Sequence, residues 1–509
     1  MTTSQNEPQE SQDSYVSADA GIASIGEAFF RVEAEEDLYN WRVLGVQVWP
    51  VMRSRLLKAM MANSGLFASS VGKQVDFYEG VEQYRGRLPA KLLWRAVRLS
   101  WMGPLARFAY SPRKIAGAAA HLGEPDYRNL KSKRAIVVPF ATRDGNEPHI
   151  EKFAQPIIDA LGDRGLVLGV GTWDKITNRP RVEDLNVFFE RLWHYPAAVY
   201  VRLGVKQADL QKYARVVAKL EAATGFSLDP HRSFPRWMLR IFFIQKHGYR
   251  KIFKRTNAKH VFAVNAARMP LQAAAQSLGM KVIEIQSGVF SKYSLQFSWP
   301  GSPAIEYIPN EIWTWGDYWT SGIERAGGQS VRVIGSTEEF EAIRQRGLAR
   351  KAGQVVFLSQ PLIGLDILKA AIDFAAAKPH LSVIFKLHPR NEIEEFAEFL
   401  GSQASAAPSN LRLMQFEQSS LEVIAESEIS VGVFSTALIE AAGLGAKVAI
   451  VKLPGWEHLA PLIDGGYASA FDNAAQLIAG LDQLKNPADE YFFYGRRANI
   501  QQIVDELLA

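Results

Sequence analysis

Short, β-branched apolar runs, separated by segments of helix length, fill this chain from residue 133 onward and constrain its fold more than any other feature. The first series comprises Arg134–Phe140, Leu166–Val170, His260–Asn265, Lys281–Gln286, Ile312–Trp315 and Val331–Gly335. The second comprises Gln354–Ser359, Leu381–Leu387, Leu411–Gln415, Ile429–Phe434 and Lys447–Lys452. Runs this short and this uniformly apolar are strands buried on both faces, which is the signature of a parallel sheet covered by helices. Helices are expected over Asp209–Ala223 and Pro270–Leu278 in the first series. In the second they are expected over Gly364–Ala377, Ile393–Leu400, Leu421–Glu426 and Ala437–Leu444. The alternation predicts an α/β protein with two Rossmann-like, doubly wound domains in sequence, joined near residues 335–353.

Around that frame the domain limits follow from texture. Residues 1–24 are rich in Ser, Gln and Glu without apolar periodicity and read as a disordered tail. Residues 25–130 read as a helical, basic extension, with Pro50 expected to kink or split the apolar stretch Asp37–Met61. The first domain is placed at 131–340 and the second at 341–485. A closing helix is expected over 486–509, centred on Tyr491–Leu508.

Composition excludes several chemistries. The 509 residues contain no Cys, which removes disulfides, thiolate metal sites and Cys nucleophiles. No uncharged stretch reaches the length needed to span a bilayer, and the N-terminus lacks the basic and apolar regions of a secretory signal, so a cytoplasmic location is expected. A net charge of +5 does not by itself imply nucleic acid, and none is expected as a partner. The charge is unevenly spread. No acidic residue occurs between Glu82 and Glu124, whereas Arg85, Arg87, Lys91, Arg95, Arg98, Arg107, Arg113 and Lys114 share that span with Trp94, Trp101, Phe108 and Tyr110. A basic helix with aromatics at its boundary can lie on an anionic membrane face, here the inner face of the cytoplasmic membrane. The plainer reading is a solvated basic cap on the next domain.

In open α/β sheets ligands bind beyond the carboxyl ends of the strands, so the residues there are the first candidates. The run Leu381–Leu387 leads into His388-Pro389-Arg390, with Lys386 nearby. An imidazole and a guanidinium at a strand tip suit a phosphate; the alternative is a strand-end turn with solvated charges. The run Ile429–Phe434 leads into Ser435-Thr436, and Glu440 follows one helical turn later. Hydroxyls at a helix start cap its free N–H groups, and the same geometry binds anions. Glu440 then suits ribose hydroxyls, unless it is only an exposed helix residue. The run Lys281–Gln286 ends in Gln286-Ser287-Gly288, with Lys292 and Tyr293 following. The first strand is followed by Thr142-Arg143-Asp144-Gly145-Asn146-Glu147-Pro148-His149. Asp144, Glu147 and His149 are candidates for general base, set against a plain Asp-Gly turn.

No Asp-x-Asp occurs in the chain, nor a Walker-type loop, a Gly-x-Gly-x-x-Gly after a strand, or a Gly-x-Ser-x-Gly elbow. The nine His show no metal-ligand pairing. No metal and no cofactor are therefore expected.

FKLHPR, followed about 45 residues later by FSTALIEAAGLG, resembles the nucleotide-binding half of GT-B glycosyltransferases. More narrowly it is similar to the His-Pro plus Ser/Thr pattern of bacterial sialyltransferases, Kdo (3-deoxy-manno-octulosonate) transferases and CDP-glycerol-type polymer transferases. The resemblance covers roughly residues 350–470. It implies that His388 and Ser435/Thr436 hold the donor's phosphate with Glu440 near the ribose, and that Gly455–His458 form a further donor loop. It also implies a metal-independent transfer from a nucleotide-activated sugar, a CMP-linked acidic sugar being favoured, to a bacterial capsule, O-antigen or other lipid-linked glycan. Gln286-Ser287-Gly288 is similar to a Gln-His-Gly turn of capsule transferases, but Ser287 stands where His is expected. A Ser is a poor base without an activating partner. Two other readings stay open: a non-catalytic assembly protein of the same fold, which the Ser287 replacement favours, and a sugar-nucleotide epimerase.

Overall fold

The computed structural model describes residues 21–63, 130–139, 141–144, 147–150, 152–168, 196–226, 228, 234–264, 268–389, 391–402, 408–485, 495 and 497–509. The basic stretch 83–114, most of the expected tail, and Arg390 lie outside the described residues.

Two six-stranded sheets organise the chain, and every pairing within them is parallel. The first contains β1 (Ala135–Val138), β2 (Gly165–Val167), β3 (His260–Val264), β4 (Lys281–Ile285), β5 (Glu311–Thr314) and β6 (Ser330–Val333), in the order β6-β5-β4-β3-β1-β2. The second contains β7 (Lys351–Leu358), β8 (Ser382–Lys386), β9 (Leu411–Met414), β10 (Ser427–Gly432), β11 (Lys447–Val451) and β12 (Ser469–Phe471), in the order β9-β8-β7-β10-β11-β12. Counted within its own sheet, that second order is 3-2-1-4-5-6, the order of dinucleotide-binding sheets.

The period of two along each strand explains the double covering. On β7, Val355 and Phe357 enter one apolar cluster with the helix Gly364–Ala377, while Val356 and Leu358 enter another with Leu438 and Ile439. On β3, Val261 and Ala263 face a cluster with Tyr249 and Phe253, whereas Phe262 and Val264 face the opposite one with Ile157 and Val504. Both sheets are thus doubly wound, as the run pattern predicts.

The N-terminal helical region is part of the first lobe rather than an appendage to it. Helices α1 (Ile22–Glu35) and α2 (Val48–Asn63) share one core with α3 (Gln207–Thr224) and α4 (Phe234–Phe253). Helix α1 begins at Ile22, inside the span expected to be tail. Pro50 neither kinks nor splits α2: it lies in the first turn, where its missing N–H has no intrahelical acceptor to lose. Inside this core the Arg53 guanidinium is bonded to the Glu33 carboxylate, each side chain 1% exposed.

The lobes meet through an apolar cluster that joins Phe290, Trp315, Trp319 and Phe340 of the first to Val356, Leu438, Ile450 and Leu462 of the second. The terminal helix (Ile500–Leu508) is shorter than expected and returns to the first lobe, where Arg164 pairs with Asp505 at 2.8 Å. Among the described residues no helix is long and apolar enough to cross a membrane.

Candidate active site between the two lobes

In the second sheet the order reverses between β7 and β10, so the crevice at their carboxyl ends is the topological switch point. His388 follows β8 and Ser435 follows β10, the two strands that flank β7. Strands lie about 4.8 Å apart, so the two tips stand on the order of 10 Å from each other at the same end of the sheet.

Backbone and side chains fix this edge tightly. Ser359, just past β7, donates from Oγ to Asn391 Oδ1 at 2.9 Å, and the same oxygen accepts from the His388 N–H at 3.1 Å. Asn391 N–H in turn donates to the His388 carbonyl at 2.9 Å, closing the turn that Pro389 begins. On the other side Gln360 Oε1 accepts from Phe434 N–H at 3.1 Å. Ser435 is the N-cap of α5 (Thr436–Gly443), its Oγ accepting from Ala437 N–H at 3.3 Å. The Ser435 hydroxyl proton remains to donate, and the dipole of α5 favours negative charge at the same point. Both Ser435 and Thr436 are half-buried.

Lys386 does not join this edge. It is 4% exposed and its ammonium is held by the carbonyls of Gln415 and Gln418, so its charge serves the β8–β9 connection.

Two contacts cross from lobe to lobe above the switch point. Lys152 Nζ lies 3.5 Å from Glu440 Oε1 and 3.3 Å from Glu339 Oε2. Burial works against the Lys152 charge, but Glu440 and Glu339 together outweigh it and hold its pKa above the ordinary lysine value. Glu440 is itself buried, so the carboxylate expected near a ribose is engaged by a cation of the other lobe. Further along, His458 Nδ1 lies 2.6 Å from Ser291 Oγ. Burial lowers the His458 pKa to about 4, so the ring is neutral near pH 7.

Gly455 brings His458 into place. Its φ of +103° is open to glycine, and a Cβ there would sit 2.4 Å from the Phe434 ring. That close approach seats the His458 ring 5.8 Å from the ring of Phe434, the residue before Ser435. Sequence reasoning marked the 455–458 loop but gave His458 no role. Nothing in the sequence pairs it with Ser291, 167 residues away.

The first lobe contributes the ends of β4 and β1. Gln286 is fully buried and spends its amide on structure: Oε1 accepts from Trp315 N–H at 2.9 Å and Nε2 donates to the Gly288 carbonyl at 3.1 Å. It shapes the turn that presents Ser287 and Gly288, both half-buried. A Cβ on Gly288 would meet nothing within 4 Å, so the turn borders open space. Lys292, expected at the cleft, has its ammonium engaged by a carboxylate. It is exposed and pairs with Glu27 of α1, to which Tyr293 also donates at 3.3 Å. After β1 the chain forms a hairpin, Ala141–Asp144 paired antiparallel with Glu147–Ile150, in a register that sets Asp144 opposite Glu147 and Thr142 opposite His149. The hairpin leads directly to Lys152. Beside it an open-sided depression is lined by Lys152, Phe153, Ile285, Trp315, Ser336 and Arg497. The Phe153 and Trp315 rings stack there, centroids 5.3 Å apart. Among the described residues no group of three or more His, Asp or Glu side chains is arranged to hold a metal ion.

No protein-family model matches the chain, and no curated protein matches it. Among solved structures it is similar to a UDP-GlcNAc 2-epimerase from Methanocaldococcus jannaschii, with 13% identity and a TM-score of 0.41, over 74% of this chain and 99% of that one. It is also similar to a UGT transferase from Siraitia grosvenorii, with 11% identity and a TM-score of 0.36, over 73% and 93%. An α,α-trehalose 6-phosphate synthase from Burkholderia multivorans gives 13% identity and a TM-score of 0.36, over 74% and 93%. At that distance no activity is carried over from them.

Proposed function

We propose that the chain is a glycosyltransferase that moves a sugar from a nucleotide donor to a bacterial surface or lipid-linked glycan, without a metal ion. The observation that carries this reading is the pairing of His388 and the hydroxyl-capped start of α5 on the two strands flanking β7, at the switch point of the second sheet. A phosphate seated there takes a hydrogen bond from the Ser435 hydroxyl and the favourable end of the α5 dipole. His388 donates from a ring nitrogen. As the sugar departs, negative charge grows on that phosphate, and donors already fixed in a partly dry crevice stabilise it without reorganising.

The acceptor, on this reading, lies on the first lobe between the Ser287-Gly288 turn and the depression lined by Lys152, Phe153 and Arg497. The half-buried Phe153 ring, with Lys152 and Arg497 beside it, suits a sugar ring, which has apolar faces and polar edges. The Asp144–Glu147 hairpin supplies the carboxylates for the proton of the acceptor hydroxyl, with His149 as the alternative base. The resemblance of FKLHPR and FSTALIEAAGLG to CMP-sugar and CDP-glycerol enzymes favours a cytidine nucleotide and, as the sugar, an acidic one such as Kdo or sialic acid. The basic, aromatic stretch 83–114 would keep the enzyme in the cytoplasm at the inner membrane face, near a lipid-linked acceptor.

A thermal-shift series with CMP, CDP, UDP and GDP tests the donor site. A ligand at about 100 times its Kd adds about 2.7 kcal/mol of stability by mass action. The expected result is stabilisation by a cytidine nucleotide in the wild type and its loss in His388→Ala and Thr436→Val. Stabilisation that survives both substitutions overturns the assignment. Product analysis with donor alone and with donor plus glycan then separates transfer from epimerisation and from binding without turnover.

A further inference from the structure

Among the described residues four large hydrophobic side chains are exposed, and three of them, Val199 (57%), Tyr200 (52%) and Leu203 (81%), lie on the single helix 196–204. A surface helix ordinarily turns its apolar stripe inward. This one does so with Val201 only; together with Val205, just past its end, Val201 is buried against α1, α2, α3 and α4. Val199 and Leu203, one turn apart, form a second apolar stripe on the outside, with Tyr200 beside it. Isolated exposed apolar residues need no explanation, but a contiguous set on one helix does.

The surroundings say what covers it. Residues 196–206 contain no acidic residue and carry Arg202 and Lys206, both exposed. The Tyr200 ring meets Phe243 of α4 edge-on, centroids 5.4 Å apart. Arg236, Arg240, His247 and Arg250 stand seven and three residues before Phe243 and four and seven after it, on the same side of α4. Residues 234–255 likewise contain no Asp or Glu. The field there is positive enough that Lys251 and Arg250 add to burial in lowering the pKa of His247.

From this geometry we infer that the outer face of helix 196–204, with the adjoining basic side of α4, docks on an anionic lipid bilayer. Val199, Tyr200 and Leu203 enter the boundary between headgroups and acyl chains, and Arg202 and Lys206 meet the lipid phosphates. Stable interfacial binding takes two signals, buried apolar area and attraction to anionic lipid, and this face carries both. The tyrosine, apolar in body and polar at its tip, suits that depth. A lipid surface is favoured over a protein partner because two adjoining segments that carry basic residues and no Asp or Glu match a continuous anionic surface. The inference rests on described residues alone. It depends neither on the stretch 83–114 nor on the sugar-transfer reading.

The test is co-sedimentation of the full-length chain with vesicles of phosphatidylcholine, with and without phosphatidylglycerol. The wild type should bind the phosphatidylglycerol vesicles, and bind less as salt rises. Val199→Ser/Leu203→Ser should weaken binding about tenfold, and Arg202→Glu/Lys206→Glu by a similar factor, with unchanged Tm because all four side chains are exposed. Absence of wild-type binding overturns the inference. So does full binding by the Val199→Ser/Leu203→Ser variant, which assigns the membrane contact to another part of the chain. A wild-type dimer in gel filtration that becomes monomeric in that variant also overturns it, assigning the face to a second copy.

Discussion

His458 Nδ1 and Ser291 Oγ, 2.6 Å apart, join a loop after β11 of the second lobe to a loop after β4 of the first. The ring is neutral in the folded protein because burial lowers its pKa to about 4, against 6.5 for a free imidazole. Between those values the unfolded chain takes up a proton that the folded one refuses. Stability therefore falls as pH drops from about 6.5 to about 4, and the contribution is fully present above that window. In His458→Gln this component is absent, although His247 and His260 still titrate in both proteins. We expect Tm to fall less steeply with acidification in the variant, the two curves converging by on the order of a few degrees. Parallel curves across the window would show that His458 is not held neutral by the fold.

Lys152 and Glu440 form another contact between lobes, and their surroundings make the two ends unequal. Lys152→Ala leaves the Glu440 carboxylate buried without its cation. Glu440→Gln leaves Lys152 with Glu339 at 3.3 Å. Removing one partner of a buried pair costs about 3–5 kcal/mol; here the lysine side chain is 37% exposed, and about 1–2 kcal/mol is the reasonable expectation for Lys152→Ala. Glu440→Gln should cost less. Urea unfolding of both variants checks the asymmetry, and a larger loss in Glu440→Gln contradicts it.

Parts of this architecture were legible because their signals are local. Buried parallel strands read as unbroken apolar runs, and the ends of β7, β8, β10 and β11 fall within a few residues of the runs that predict them. The helix Gly364–Ala377 is found at its expected limits. Edge strand β12 was not legible, because three half-buried residues carry no run. The long helix α4 was missed because its apolar and basic residues are interleaved. The site divides along the same line. His388 and Ser435 follow strands and could be placed from order alone. The contacts of Lys152 with Glu440 and of Ser291 with His458 depend on how two separately folded lobes face each other, which no local pattern encodes. Lys386 and Gln286 show the converse: polar residues at strand tips that look available and are consumed by carbonyls and N–H groups of neighbouring turns.

Gly455 offers a way to disturb the switch point from the loop packed beside it. Its left-handed φ and the 2.4 Å approach to Phe434 both reject a side chain. Gly455→Ala should cost about 1–3 kcal/mol in strain and displacement. Because Phe434 is anchored by Gln360 and precedes the Ser435 cap, the same variant should lose most of the nucleotide-induced Tm shift. Retention of the full shift in Gly455→Ala would mean that the loop and the capped helix are uncoupled.

The Glu33–Arg53 pair predicts where the N-terminal helices draw their stability. Glu33 accepts from Trp49 Nε1 at 2.8 Å, Tyr39 Oη at 2.6 Å and Arg53 Nη2 at 2.9 Å. The guanidinium also donates from Nη1 to the Ser298 carbonyl at 2.7 Å and to the Leu295 carbonyl, and lies over the Trp299 ring at 4.3 Å. Every polar end is matched, so removing one end exposes the full desolvation penalty of the others. Arg53→Met should destabilise by about 3–5 kcal/mol. Replacing both charges, as in Glu33→Leu/Arg53→Met, removes the stranded carboxylate but still orphans the Leu295 and Ser298 carbonyls, so about 1–3 kcal/mol of loss should remain. Denaturant unfolding of the two variants gives the ordering: the double substitution is expected to be the more stable. A single variant as stable as the wild type would mean that α1 and α2 are held by their apolar contacts alone.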